Sequence, residues 1–342
     1  MVDSEREEKI ERFRKEVENL ENVVGVGYDP ETGEYVTLVT EKKPEDDLPE
    51  DQLVANNTTL SEDEHGVEEI GYLRAHSLSI DTSERLRPVP VGAEEQPDDE
   101  RWVGTGGFIA SVTDSSKGEW ASDVSKGDVV RLSNWHVYVG DSFDPHRPIH
   151  QPFRGEKVGE LVGSVPLKDG VKVDAAARSV SADDGWEIRG LEAATDGTEY
   201  GRSVVPNVTE EHSRATVTKS GRTTDVTTAE IQQINASLRI DYGTEDDPNL
   251  IRLDDCVVTT DLGDSGDSGS PVYLQENGAL CGLYFAGSPT AGVFCQIGNV
   301  EEALGVRTIT DWDPDIPPID HGNGDLQEFK DDLIRYIENW PA

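Results

Sequence analysis

The apolar and polar positions sort the chain into distinct stretches. In residues 4–21, Ile10, Phe13, Val17 and Leu20 recur at helical spacing behind a Ser4/Glu7 capping-box pair, which predicts an amphipathic helix. VVGVGY (23–28) and YVTLVT (35–40) flank the turn DPETG and read as a hairpin, with GVEEIGYLRA (66–75) as a further strand. Together these predict a small α+β unit over 1–84. RLRPVPVGAEEQPDDER (85–101), rich in proline and acid, reads as a linker. From 102 to 310 the chain becomes a series of short β-prone runs broken by Gly, Asp and Asn, such as VVRLSNWHVYV, ATVTKSG, CVVTTDL and GVFCQI. Many short strands at turn-punctuated spacing predict a barrel or sandwich, not βαβ winding. Residues 311–342 read as a second linker and a helix at 326–340. Asp325 would cap that helix, and Leu326, Phe329, Leu333, Ile337 and Trp340 would form an apolar stripe needing cover from its own domain or a neighbouring subunit.

Charge narrows the function classes. The 342 residues carry 30 Lys+Arg against 70 Asp+Glu, a net charge of −40. A surface this acidic repels nucleic-acid backbones and anionic lipid, so neither is an expected partner. No run approaches the length of a membrane span, and MVDSEREEKIERF has no apolar signal core, so a cytoplasmic protein is expected. Acidic residues spread from Asp3 to Asp332, with few Lys and a single Met, fit a high-salt cytoplasm. The three cysteines, Cys256, Cys281 and Cys295, make neither a metal set nor a disulfide framework. Cys281 and Cys295 flank the turn GSPTAG (287–292) and could face each other, with buried thiols the default in a reducing compartment. No HExxH or Cys/His cluster calls for a metal, and no cofactor is expected.

The chemistry concentrates in GDSGDSGSPVYL (263–274). A serine is a weak nucleophile until a base takes its proton, and it needs N–H donors aimed at the developing oxyanion. Ser268 follows Gly266, whose freedom at positive φ allows the N–H groups of Gly266 and Ser268 to converge. Ser265 repeats the GDSG pattern but lacks the following Gly-Ser-Pro and strand. His136 is the candidate base because it sits in the β-prone run VVRLSNWHVYV. His65, His146, His150, His212 and His321 lie in polar loops, and His76 is the weaker competitor. Asp174 in VKVDAAARSV is the candidate orienting carboxylate, flanked by apolar and small residues where burial could hold one imidazole tautomer.

The order His136, Asp174, Ser268 resembles that of trypsin-like serine peptidases, and residues 102–307 look like their double β-barrel. A nearer resemblance is to the Narrow Leaf type and its prokaryotic relatives. It is carried by NVVGVG (22–27), LSNWHV (132–137), VDAA (173–176), KSGRTTDVT (219–227), GDSGSP (266–271) and GLYFAGS (282–288). Trp135 and Asp225 depart from that pattern, which has Asn and Gly there, and Ser270 stands where the general trypsin-like GDSGGP motif has the second Gly after its serine. The resemblance implies a mainly β, chymotrypsin-like double β-barrel carrying the small N-terminal α+β unit and the C-terminal helix. It also implies a serine endopeptidase acting on peptide or protein through an acyl-enzyme. Gly266 and Ser268 would form the oxyanion hole. Leu262 would floor the substrate pocket and Tyr284, Phe285, Ala286 and Gly287 would wall it, favouring small or medium apolar side chains. Asp267 would turn inward to a cation, with Arg222 as the candidate. The alternative is a catalytically silent fold serving as an oligomeric interaction scaffold. Because an open protease in cytosol is hazardous, the peptidase reading suggests a homo-oligomer that restricts entry to the site.

Overall fold

The computed structural model describes residues 2–44, 47–61, 63–71, 73–75, 85–86, 89–97, 103–152, 156–180, 200–201, 203–244 and 247–310. The expected C-terminal helix at 326–340 lies outside them. The described chain is mainly β and forms two sheets. Among the described residues no helix is long and apolar enough to cross a membrane.

In the first sheet, Thr216–Gly221, Pro271–Leu274, Leu280–Ser288, Ala291–Gln296, Leu250–Thr260 and Asp225–Asp241 pair in that order. Thr216–Gly221 and Asp225–Asp241 pair as well, which closes these six strands into a barrel. Closure gives each of these strands a partner on both sides over at least part of its length. The hairpin that closes it turns through residues 222–224 and ends on Asp225 at φ 50°. That left-handed conformation suits Gly, and Asp is among the few other residues that adopt it readily. Asp225 therefore keeps the turn without a glycine.

The N-terminal strands extend this sheet. Val23–Tyr28 pairs with Tyr35–Val39 on one side and, through Gly25↔Leu238 and Tyr28↔Ile234, with Asp225–Asp241 on the other. Gly25 makes this possible, because a Cβ there would stand 2.1 Å from the Ser237 carbonyl oxygen. The helix Val2–Val17 starts before Ser4 and buries Ile10, Phe13 and Val17 against Val26, Tyr35 and Leu60. His65–Glu69 follows Tyr35–Val39 in parallel.

The second sheet runs Val306–Thr308, Ile109–Val112, Val129–Ser133, Ala176–Ser179, Glu156–Ser164, Pro148–Gln151, Glu94–Pro97, Gly104–Thr105, and curves as a half-barrel. The expected linker thus contains a strand, Glu94–Pro97, paired with Pro148–Gln151 and Gly104–Thr105. Its acids are buried because distant cations meet them. Glu95 accepts from Arg178 Nε and Nη2, both at 2.6 Å, from Arg131 Nη1 at 3.3 Å and from the Tyr138 hydroxyl. Glu94 Oε2 takes Arg222 Nε at 2.6 Å. Leu132, Val112 and Ala177 of this sheet pack in one cluster with Leu283, Phe285 and Val258 of the barrel, so one core runs through both.

All three cysteines are free and buried. Cys295 lies opposite Leu283 on one side and Cys256 on the other, so it does not face Cys281 across the hairpin.

Candidate active site

The first half of the site belongs to the half-barrel. The strand Val129–Ser133 ends, Asn134 is extended, and the short helix Trp135–Tyr138 turns His136 back over the sheet. Ser133 pairs with Ala176, which brings Asp174 alongside that turn. Asn134 Nδ2 donates to the Asp174 carbonyl at 2.8 Å, and the His136 amide donates to Asp174 Oδ1 at 3.2 Å. His136 Nδ1 lies 2.6 Å from Asp174 Oδ2, a hydrogen-bond distance that fixes the orientation of the ring. Asp174 is fully buried, a costly position for a carboxylate unless several donors meet it. A further donor is Tyr242, whose hydroxyl gives a hydrogen bond to the same Oδ2 at 3.0 Å.

The second half is a turn on the barrel, between Leu250–Thr260 and Pro271–Leu274. Gly266 and Gly269 stand at φ 94° and 95°, in the region that favours glycine. A Cβ on Gly269 would lie 2.1 Å from the Thr105 carbonyl oxygen and 2.2 Å from Ser133 Oγ, so this turn presses directly on the half-barrel. The amides of Asp267, Gly269 and Ser270 are bonded to Asp264, Tyr284 and Asp267 carbonyls, while the Gly266 N–H has no acceptor among the described residues. Ser270 donates its hydroxyl hydrogen bond to the Asp267 carbonyl.

Asp267 turns inward. Its partner is Lys219, with Nζ 2.9 Å from Oδ2, and not Arg222, whose guanidinium goes to Glu94. Asp267 also accepts from the amides of Thr223 at 2.8 Å, Thr224 at 3.2 Å and Asp264 at 2.9 Å, and from Thr224 Oγ1 at 2.6 Å. Burial raises the carboxyl's pKa, and the Lys219 charge with these hydrogen bonds outweighs it, holding Asp267 below the usual carboxylate range.

Thr105 joins the two halves. Its amide donates to the Ser268 carbonyl at 2.8 Å, its hydroxyl donates to the Gly266 carbonyl at 2.9 Å, and its own carbonyl accepts from Ser133 Oγ at 2.8 Å. A Cβ on Gly104 would touch both Val137 Cγ2, at 2.5 Å, and the Ser268 carbonyl, at 2.9 Å. The residue after His136 and the backbone of Ser268 thus share one contact point. Ser268 Oγ donates to the Phe285 carbonyl at 3.3 Å. Ser265 is half-exposed, its amide bonded to Asp264 and its carbonyl to Thr223. His76 lies outside the described residues.

The expected pocket residues are packed. Leu262 and Tyr284 belong to an apolar cluster with Cys281 and Phe294, and Phe285 and Ala286 lie in the main core. The Tyr284 hydroxyl donates to the Gly263 carbonyl at 2.9 Å, and Leu262 Cβ would meet a Cβ on Gly292 at 2.7 Å. Gly287 pairs with Gly292 on one side and Arg74 on the other.

Sequence reasoning missed Tyr242, Thr105 and the pairing role of Lys219. For Lys219 a signal existed: alternation in TVTKSG puts it on the same buried face as Val217. A lysine on an apolar face requires a carboxylate.

No protein-family model and no curated protein matches the chain. Among solved structures, protease A of Thermobifida fusca is 15% identical with a TM-score of 0.46, covering 65% of this chain and 98% of its own. A glutamic-acid-specific serine protease is 17% identical at 0.44, covering 65% and 100%. The chymotrypsin of Cellulomonas bogoriensis is 16% identical at 0.42, covering 65% and 98%. At these scores the likeness is one of outline, and the chemistry of this chain has to rest on its own geometry.

Proposed function

We propose that this chain is a serine endopeptidase in which Ser268 is the nucleophile, His136 the general base and Asp174 the group that orients it. The observation that carries the reading is the buried 2.6 Å contact between His136 Nδ1 and Asp174 Oδ2, on the sheet against which the Ser268 turn is pressed. In this mechanism His136 Nε2 accepts the Ser268 proton as Oγ attacks the peptide carbonyl carbon. Asp174 stays ionised and stabilises the imidazolium. The Gly266 and Ser268 N–H groups receive the oxyanion. His136 then protonates the leaving amine, the acyl-enzyme forms, and water attacks it with His136 again as base. The Lys219–Asp267 pair acts through the turn, holding Gly266 and Ser268 in register.

Fluorophosphonate labelling in molar salt tests this. Labelling should vanish in Ser268→Ala and fall steeply in His136→Ala, while Ser265→Ala labels like the wild type. Folded wild type that does not label would overturn the reading and leave the interaction scaffold. The acidic surface supports a halophilic protein, so removing salt by dialysis should unfold or aggregate the chain. A folded, monodisperse sample in dilute buffer would sink that part of the proposal.

A further inference from the structure

The strand Pro271–Leu274 pairs with Leu280–Ser288 only as far as Pro271↔Leu283. Just beyond that end, Phe285 takes the Ser268 hydroxyl on its carbonyl, and Ala286 and Gly287 would present a backbone edge beside the nucleophile. A peptide reaching Ser268 in extended form would add to this edge as one more strand, its main chain supplying the affinity.

That edge is already taken by the chain itself. Arg74–Ala75 pairs antiparallel with it, Ala75 opposite Ala286 and Arg74 opposite Gly287. The antiparallel direction carries the chain from Gly287 toward Phe285, that is, toward Ser268. The approach is firmly anchored: the Leu73 carbonyl accepts from the Asp241 amide at 3.2 Å, Ser288 Oγ donates to the Ile70 carbonyl, and Ile70 and Leu73 are buried in the core. His136, Asp174 and Ser268 are 2%, 0% and 0% exposed.

We propose that Arg74–Ala75 occupies in cis the strand position an extended peptide substrate must take, so that substrate binds only when this segment leaves the edge. This rests on the peptidase reading above and adds regulation to it. An occupant in place nine-tenths of the time weakens apparent peptide affinity about tenfold, because only the open fraction binds.

The test compares two probes on full-length protein in molar salt. One is a small alkyl fluorophosphonate, which needs no strand edge; the other is an apolar tetrapeptidyl phosphonate, which does. In Ala75→Pro the segment loses a ladder donor while Ile70 and Leu73 stay in place. The combined Arg74→Gly, Ala75→Gly variant weakens the same strand through backbone entropy and serves if the proline variant misfolds. The expected result is peptidyl labelling about tenfold faster than wild type with a much smaller change for the small probe. Unchanged peptidyl rates in folded variants overturn the inference, as does an equal gain for both probes, which would mean general loosening. Absence of small-probe labelling in folded wild type removes the peptidase reading itself, and this inference with it.

Discussion

Glu95 of the half-barrel and Asp267 of the closed barrel are both carboxylates buried near the site, and they are neutralised by different means. Glu95 sits between two guanidinium groups and the Tyr138 hydroxyl, all of them side chains reaching in from other strands and the His136 helix. Asp267 meets a single ammonium and is otherwise held by three backbone amides and a threonine hydroxyl of its own neighbourhood. In both, burial raises the carboxyl's pKa and the partners more than reverse it. The difference lies in what depends on the carboxylate. Around Glu95 it is the pairing of Arg131 with Arg178 across adjacent strands, so the group is a stability device. Around Asp267 it is the path of the turn that carries Gly266 and Ser268, so the group is a positioning device.

Three substitutions break or sharpen this contrast. Glu95→Gln leaves two buried guanidinium groups without a counter-charge and should cost about 3–5 kcal/mol, read as a lowered denaturation midpoint in molar salt. The folded fraction should still label at Ser268. A cost under about 1 kcal/mol would erase the distinction, since that is what a surface pair contributes. Lys219→Met should cost less, about 1.5–3 kcal/mol, because four hydrogen-bond donors remain on Asp267. Its labelling rate should fall by about 10²–10³, the scale of losing an oxyanion donor.

The same variant carries a pH signature. A carboxylate whose folded pKa is depressed contributes stability that is complete above its unfolded value, about 4, and lost as pH falls through the folded one. Without the Lys219 charge the folded value rises, so the acid unfolding midpoint of Lys219→Met should move to higher pH in a circular-dichroism titration. The smallest effect belongs to Tyr242→Phe, which removes one donor from Asp174 Oδ2. It should lower kcat about tenfold with KM unchanged, the equivalent of one hydrogen bond. A raised KM with kcat intact would make Tyr242 a packing residue only.

How much of this was readable in the sequence follows the range of each interaction. The hairpin around DPETG and the short strands after residue 102 depend on local alternation and turn residues, and they were legible. His136, Asp174 and Ser268 were legible as candidates because their local contexts differ from those of other residues of their type. The motif predicts a cation for Asp267 without saying which one; Lys219 takes that place, while Arg222 pairs with Glu94. The strand within residues 85–101 and the joining of the N-terminal strands to the barrel sheet were not legible, for one shared reason. Their pairing partners lie far along the chain, and an acidic strand such as Glu94–Pro97 looks solvated until its arginines are located. Tyr242 had no local signal at all.

The register Gly25↔Leu238 also has a consequence for biosynthesis. A ribosome that has made the first hairpin must add roughly two hundred residues before its partner strand emerges, about 10–40 s at ordinary elongation rates. Arg74–Ala75 is likewise made long before Ala286 and Gly287. The nascent chain therefore holds its own blocking segment in waiting before the edge beside Ser268 exists. At no stage of synthesis does the edge appear ahead of its occupant.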